Sequence, residues 1–315
     1  MDVLLLSAEE VRSLLDPTAL LDALAEEFVA LSADRVVAPK RSEVSVPDAG
    51  FLLTMPAWRD GREMSVKLVT VFSGNAEHGL PGHQALICLF DPETGTPSAI
   101  MDGAHLTAMR TAGAAALSAR LVARPESHRL AIIGAGAQAQ AHLAIFSHVR
   151  DFTEIRLASR TPGHAERLAA THPLARAMPD AEAAIRGADV VCLCTDSATA
   201  VLRADWLAPG AHVTSVGYRP PGSELDPAII ARGRLFVETR HAFEPPPTGC
   251  AELAGMDSTR GAELGQVLSG QAPGRASADE LTVYKSMGHA CEDMAAASVV
   301  YRRARAAQVG RMVTL

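Results

Sequence analysis

The chain has 315 residues, 48% of them hydrophobic and 21% charged, with a formal net charge of -7. That length exceeds what one hydrophobic core usually fills, so two domains are expected. The acidic balance argues against nucleic acid or an anionic membrane as main partner, and no apolar run or leader-like start points to a membrane or secretion, so a soluble cytoplasmic protein is expected.

In chain order, Ser7-Ala-Glu-Glu10 has the form of a capping box and predicts a short helix to about Leu15. Asp16-Pro17 then supplies an N-cap and a first-turn proline to a second helix, with Leu20, Leu21, Leu24, Phe28 and Leu31 at helical spacing. From Pro39 to Met101 the texture predicts strands at 42–46, 51–56, 64–72, 84–90 and 97–101. Asp91-Pro-Glu-Thr-Gly95 is a plausible hairpin connection between the last two. An Ala-rich helix over 104–123 leads to Arg124-Pro125, where the domain joint is placed.

Just past that joint, Arg129-Leu-Ala-Ile-Ile-Gly134-Ala-Gly136-Ala-Gln-Ala139 runs an apolar strand into a Gly-x-Gly-x-x-Ala turn and a helical stretch over 138–149. This is the order of a phosphate-binding strand–turn–helix. Gly134 allows the tight turn, Gly136 a close approach of backbone to a pyrophosphate, and Ala139 close helix–strand packing. Ala137 and Gln138 open the helix, whose N–H groups and dipole favour an anion. Strands at 130–133, 155–158, 190–194, 212–216 and 235–238 alternate with helices beyond it. They predict a parallel sheet covered on both faces, hence an α/β doubly wound domain. A final helix from His289 to about Ala307 is expected to pack back across the joint. The domains are therefore placed at 1–124 with 289–315, and at 125–288.

The five cysteines are an odd number without metal-ligand spacing and read as reduced thiols, with Cys192-x-Cys194 in a buried strand. The eleven histidines are scattered, so no metal site is expected.

The second strand of the doubly wound part ends in Ser159-Arg160-Thr161. An NAD site usually carries an acid there for the ribose 2′-hydroxyl. With no carboxylate to repel a 2′-phosphate and Arg160 plus two hydroxyls to bind it, NADP(H) is expected over NAD(H), which stays possible. Three cations in the earlier half sit in unusual places. Lys67 interrupts the nearly apolar strand 64–72, Arg41 lies in a strand beside Lys40 and Glu43, and Arg110 is near the start of the Ala-rich helix. Together they suggest a pocket for a carboxylate. Singly, Arg41 fits a surface charge, Lys67 a partner of Glu63 or Glu77, and Arg110 an interdomain salt bridge.

Met55-Pro56-Ala57, Val66-Lys67-Leu68-Val69, Gly79-Leu80-Pro81, Leu106-Thr-Ala-Met-Arg110-Thr111-Ala, the glycine turn, and Lys285-Ser286-Met-Gly288 with Glu292-Asp293 together resemble the ornithine cyclodeaminase/mu-crystallin family over nearly the whole chain. The resemblance implies a Rossmann NAD(P)-binding domain plus an N-terminal α+β domain that dimerises and holds substrate. It implies that Arg41, Lys67 and Arg110 bind the substrate carboxylate. Thr111 and the 134–139 loop would contact cofactor phosphate or ribose, and Ser159, Arg160 and Thr161 the adenosine end. Thr195, Val216 and Ser286 would lie along the nicotinamide.

Two departures matter. Cyclodeaminases and related alanine dehydrogenases carry Gly-x-Asp after the fifth Rossmann strand, whereas this chain has Val216-Gly217-Tyr218-Arg219, with a cation where the acid would fall. Gly82 also stands where many relatives have threonine. Mu-crystallin-like members similarly carry Arg-Pro in that first loop. The reading expected is reduction of a cyclic ketimine acid, pyrroline- or piperideine-2-carboxylate, by a homodimeric enzyme. The alternatives are ornithine cyclodeaminase, alanine dehydrogenase and a small-molecule binder without turnover. His83 and Glu77 are the candidates for the missing proton transfer. Lys67→Ala is expected to lose most activity with little change in folding stability.

Overall fold

The computed structural model describes residues 1–315, the side chain of Ala76 excepted. The chain divides into two compact units, Met1–Arg110 with Gly288–Leu315, and Thr111–Met287.

In the first unit, β1 (Asp2–Leu6) leads into α1 (Ala8–Leu14), where Ser7 and Glu10 form the reciprocal capping box. In α2 (Pro17–Ser32) the Asp16 side chain accepts from the Ala19 N–H, and Leu20, Leu21, Leu24 and Phe28 are buried. Then come β2 (Ser42–Val46), β3 (Gly50–Ala57), β4 (Met64–Phe72), β5 (His83–Phe90) and β6 (Pro97–Asp102). Strands β2 to β6 form an antiparallel meander, and β1 joins β6 in parallel. One face alternates Leu53, Met55 and Ala57 with Ser65, Lys67 and Val69 and with Ala85, Ile87 and Leu89, all buried. The opposite face carries Val44 opposite Leu52 and Leu68 opposite Leu86, with Thr54 and Thr70 between them, and Val44 is 63% and Leu86 51% exposed. Period-two alternation is what sends these two sets to opposite sides.

The division between units falls inside α3 (Ala104–Val122), between Arg110 and Thr111. In the second unit, β7 (Arg129–Ile133) turns into α4 (Ala137–Ile145), and β8 (Glu154–Ala158) into α5 (Pro162–Ala169). After these come β9 (Ala175–Ala177), α6 (Ala181–Ile185), β10 (Val190–Leu193), β11 (His212–Ser215), α7 (Pro227–Arg232), β12 (Arg234–Val237), β13 (Gly261–Glu263), α8 (Leu264–Leu268) and β14 (Thr282–Lys285). All pairings are parallel, in the order β13-β12-β14-β11-β10-β7-β8-β9. Every residue of β10, β11 and β14 is buried, as expected of strands covered on both faces. The α/β doubly wound architecture is therefore as the sequence predicts.

The chain finishes in the first unit with α9 (Ala290–Ala307), which packs on α2 and on β3, β4 and β5, and with β15 (Arg311–Thr314). β15 pairs antiparallel with β1. Sequence patterning misses β1 and β15, short terminal strands set by tertiary pairing, with β1 lying between β6 and β15, and β14, whose Lys285 and Tyr284 mask an interior strand. The helix expected over 138–149 ends sooner, at Ile145, and continues as a 3-10 turn, Phe146–His148.

Candidate functional site

Two clusters of polar side chains stand out, one in each unit. In the first, β4 places Lys67 on the buried face of its sheet, 2% exposed. Its Nζ lies 2.8 Å from Asp293 Oδ2, and Asp293 Oδ1 accepts from Arg110 Nε at 3.0 Å. Arg110 Nη1 also donates to Glu292 Oε2 at 3.2 Å. Glu292 does double duty: it is the third residue of α9, and its Oε1 accepts from the backbone N–H of the N-cap His289 at 2.6 Å. Arg41 stands just before β2, half-buried, and its Nη2 donates to the Gly288 carbonyl at 2.7 Å.

The structure thus brings Arg41, Lys67 and Arg110 together, with acids that sequence reasoning names only as part of a motif. Glu292 and Asp293 look like ordinary dipole-complementing residues at a helix start, which hides their second task. Lys67 pairs with Asp293 and not with Glu63, which accepts from Ser298 Oγ, or with Glu77, which sits exposed in the 3-10 segment Ser73–His78. Arg110 is the seventh residue of α3, past its first turn, and Glu292 and Asp293, with which it pairs, belong to the same unit.

The electrostatics follow from burial. Desolvation first, then repulsion from Arg110 and Arg41, bring the Lys67 ammonium down to about 8, against the pull of Asp293. Burial raises the Asp293 carboxyl, but Arg110 and Lys67 more than offset it and hold it below its usual range. Partial loss of water around the ring, then Lys67 and Arg110, lower the His83 imidazole from its usual range, opposed by Asp293. His83 is exposed to solvent, which screens these charges, and the direction stands on two cations against one anion. Such an imidazole is neutral near pH 7 and holds no proton to give. Arg41, Lys67 and Arg110 thus share one cluster with the carboxylates of Glu292 and Asp293.

The second cluster lies at the carboxyl ends of the parallel strands. Gly134 has φ +122, and a Cβ there would collide with the Cys194 carbonyl, so the turn after β7 needs glycine. Gly136 is the N-cap of α4, has no side-chain cap, and faces open space. The half-buried Gln138 carries a buried Oε1 without a hydrogen-bond partner. An uncapped helix start and an open glycine fit a dinucleotide pyrophosphate. Beyond β8, Ser159 is half-buried while Arg160 and Thr161 are exposed. Thr161 caps α5 without a side-chain bond. Thr111 is buried in α3, and Val216 follows β11 with its N–H on the Leu193 carbonyl.

Two expected cofactor contacts are otherwise engaged. Thr195 Oγ1 donates to Glu224 Oε2 at 2.6 Å, and Ser286 Oγ donates to Glu238 Oε1 at 2.7 Å. Arg219, where an acid would have marked a cyclodeaminase-like loop, pairs with Asp196 on the surface. Among the described residues all five cysteines are free thiols, burial pushing Cys192 up to about 12, and no acid–histidine–cysteine group could hold a metal.

Comparison with known proteins agrees along the whole length. A family model described as the ornithine cyclodeaminase/mu-crystallin family matches residues 1–308. The ketimine reductase mu-crystallin of Mus musculus is 38% identical over 304 residues, covering 94% of this chain and 96% of that one. A Delta(1)-pyrroline-2-carboxylate reductase of Bacillus cereus is 31% identical over 325 residues, covering 99% of each. The Thermococcus litoralis Delta(1)-pyrroline-2-carboxylate reductase, solved in complex with NADH and L-proline, superposes with a TM-score of 0.92 at 29% identity, covering 98% of this chain and 99% of that one.

Proposed function

The chain belongs to the ornithine cyclodeaminase/mu-crystallin family, and from that premise we propose that it is an NAD(P)H-dependent reductase of cyclic ketimine acids, turning pyrroline- or piperideine-2-carboxylate into the cyclic amino acid. The observation that carries this reading is the Lys67–Asp293–Arg110 cluster with Arg41. A buried ion network is seldom worth its desolvation, since apolar side chains of similar volume are often equally stable, so its retention wants another reason. Three cations gathered at one place suit a carboxylate ligand. Arg41, half-buried, and Lys67 and Arg110 behind it bind and orient that group.

The cofactor, when bound, supplies the hydride. The second unit would hold it through Gly134, Gly136, Ala137 and Gln138 at the pyrophosphate, with Thr111 of α3 at phosphate or ribose. Ser159, Arg160 and Thr161 would take the adenosine end. Arg160, with no carboxylate beside it in the Ser159–Thr161 turn, supports NADP(H) as the preferred form. Thr195, Val216 and Ser286 belong to the nicotinamide end. Lys67, brought to about 8, is the cluster's cation whose proton is most readily exchanged near neutral pH, whereas His83 is neutral there. The loop after β11 offers Arg219 in place of an acid for a substrate amine, which weighs against ornithine cyclodeaminase and alanine dehydrogenase. The open apolar sheet face carrying Val44, Leu52, Leu68 and Leu86 supports a homodimer through the first unit, because a monomer seldom leaves such a patch to water.

The test measures NADPH and NADH oxidation with both cyclic ketimine acids, beside release of proline and ammonia from ornithine. Turnover of a ketimine acid with NADPH favoured is expected. Cyclisation of ornithine without ketimine reduction, or binding with no turnover at all, overturns the proposal.

A further inference from the structure

Doubly wound sheets bind a dinucleotide across the crevice beyond the carboxyl ends of the strands, one mononucleotide half on each side of the point where strand order reverses. Here the reversal falls between β7 and β10. The ends of β7 and β8 carry the glycine turn and Arg160, so the nicotinamide half belongs to the ends of β10, β11 and β14. Two buried charged side chains tie those three ends together.

Glu224, 2% exposed, sits in the loop after β11. Its Oε2 accepts from the Thr195 N–H at 2.8 Å and from Thr195 Oγ1 at 2.6 Å, both just past β10. Its Oε1 accepts from Ser215 Oγ at 2.9 Å and the Gly217 N–H at 2.7 Å, both at the end of β11. A Cβ on Gly217 would lie 2.5 Å from Glu224 Cδ, so the carboxylate is seated against bare backbone. Lys285, the last residue of β14 and fully buried, donates to the Gly217 carbonyl at 2.6 Å and to Ser215 Oγ at 3.3 Å, and pairs with Glu252 Oε1 at 3.0 Å. Burial would lower this ammonium, but Glu252 and the nearby Cys250 and Glu224 raise it overall. Ser215 passes the chain along, accepting from Lys285 while donating to Glu224. Nothing in the sequence marks Glu224, which sits in a loop among Ser223 and Leu225 like any surface acid.

Burying a carboxylate and an ammonium costs several kcal/mol each, which four and three well-placed partners can offset without leaving a surplus. What the arrangement gains is geometry: the backbone N–H groups of Thr195 and Gly217 are tied to one carboxylate. We propose that Glu224, braced by Lys285, is a positioning residue that shapes the nicotinamide pocket of the second unit. This rests on the cofactor reading above.

The test compares wild type and Glu224→Gln for binding of NADPH and NADH, each against the matching fragment without nicotinamide, 2′-phospho-ADP-ribose and ADP-ribose. The amide fills the same space but turns one acceptor into a donor facing donors, a penalty that corresponds to roughly fivefold to a hundredfold. The reduced cofactor should lose about tenfold or more in affinity, and its nicotinamide emission should shift toward that of free cofactor, while fragment affinity stays within about twofold. Equal weakening of cofactor and fragment, or weakening of neither, overturns the proposal. Should Glu224→Gln not fold, Ser215→Ala removes one donor and leaves Glu224 Oε1 on Gly217: selective loss for the cofactor supports the proposal, and no selective loss overturns it. A wild-type chain that binds fragments and cofactor with equal strength sinks the pocket but leaves a nucleotide site. One that binds none of them sinks the cofactor reading itself.

Discussion

Replacing Lys67 by methionine separates the two tasks of the cationic cluster. Lys67 is 2% exposed and Asp293 1%, and their charged atoms are 2.8 Å apart. At an effective dielectric near 20 the Coulomb attraction at that separation is about 6 kcal/mol, much of it offset by the cost of drying both groups. Removing one partner of a buried pair usually costs about 3–5 kcal/mol, because the other charge stays buried. Asp293 keeps Arg110 Nε at 3.0 Å, so the expected loss falls at or just below that range, roughly 2–3 kcal/mol. This departs from the expectation, drawn from sequence alone, that truncating Lys67 leaves folding almost untouched. The chain has two tryptophans, Trp58 in the first unit and Trp206 in the second. In a Trp206→Phe background, urea unfolding followed by Trp58 fluorescence therefore reports the unit in question. Lys67→Met/Asp293→Asn should be less unstable than the sum of its single variants by about 1 kcal/mol or more. Ketimine reduction by Lys67→Met should fall about tenfold to a hundredfold in kcat/KM, the worth of a hydrogen bond to a charged group. Strict additivity of the two stability losses, or full catalytic efficiency in Lys67→Met, would refute the reasoning.

Three further outcomes are expected. Arg160→Ala should raise KM for NADPH by about tenfold and leave KM for NADH within about twofold, as loss of one phosphate contact requires; an equal change in both would remove Arg160 from cofactor selection. Binding of pyrrole-2-carboxylate, whose charge does not change between pH 6 and about 10, should weaken as pH rises through about 8, because the lowered Lys67 loses its proton there and the site loses a cation. Titration calorimetry showing flat affinity across that range would place the carboxylate elsewhere, and Lys67→Arg should move the decline to higher pH. Leu86→Arg, on the open sheet face and 51% exposed, should shift the protein from dimer to monomer in sedimentation analysis with little loss of folding, and an unchanged dimer would put the interface on another surface.

Much of this molecule is written locally. Period-two alternation in β3 to β6, the capping box at Ser7, the Asp16-Pro17 helix start and the strand–glycine–helix order at 129–139 are each decided by a few neighbouring residues, so one sequence suffices to place them. Lys67, Arg41 and Arg110 are also legible, since a cation in an apolar strand or near a helix start is locally out of place.

Partners were decided only by the folded chain. Asp293 meets Lys67 across 226 positions because α9 returns to the first sheet, and within its own helix it is one more acid in a first turn. Terminal strand β15 exists because the two ends of the chain pair, and β1 is fixed between it and β6, which no local pattern encodes. Glu224 becomes a hub only where the ends of β10 and β11 lie side by side, and Thr195 is spent on it for the same reason. The sequence alone determined the elements and which charges were out of place. The tertiary structure decided what each charge faces, because Coulomb energy and hydrogen bonding depend on distance in space and not on separation along the chain.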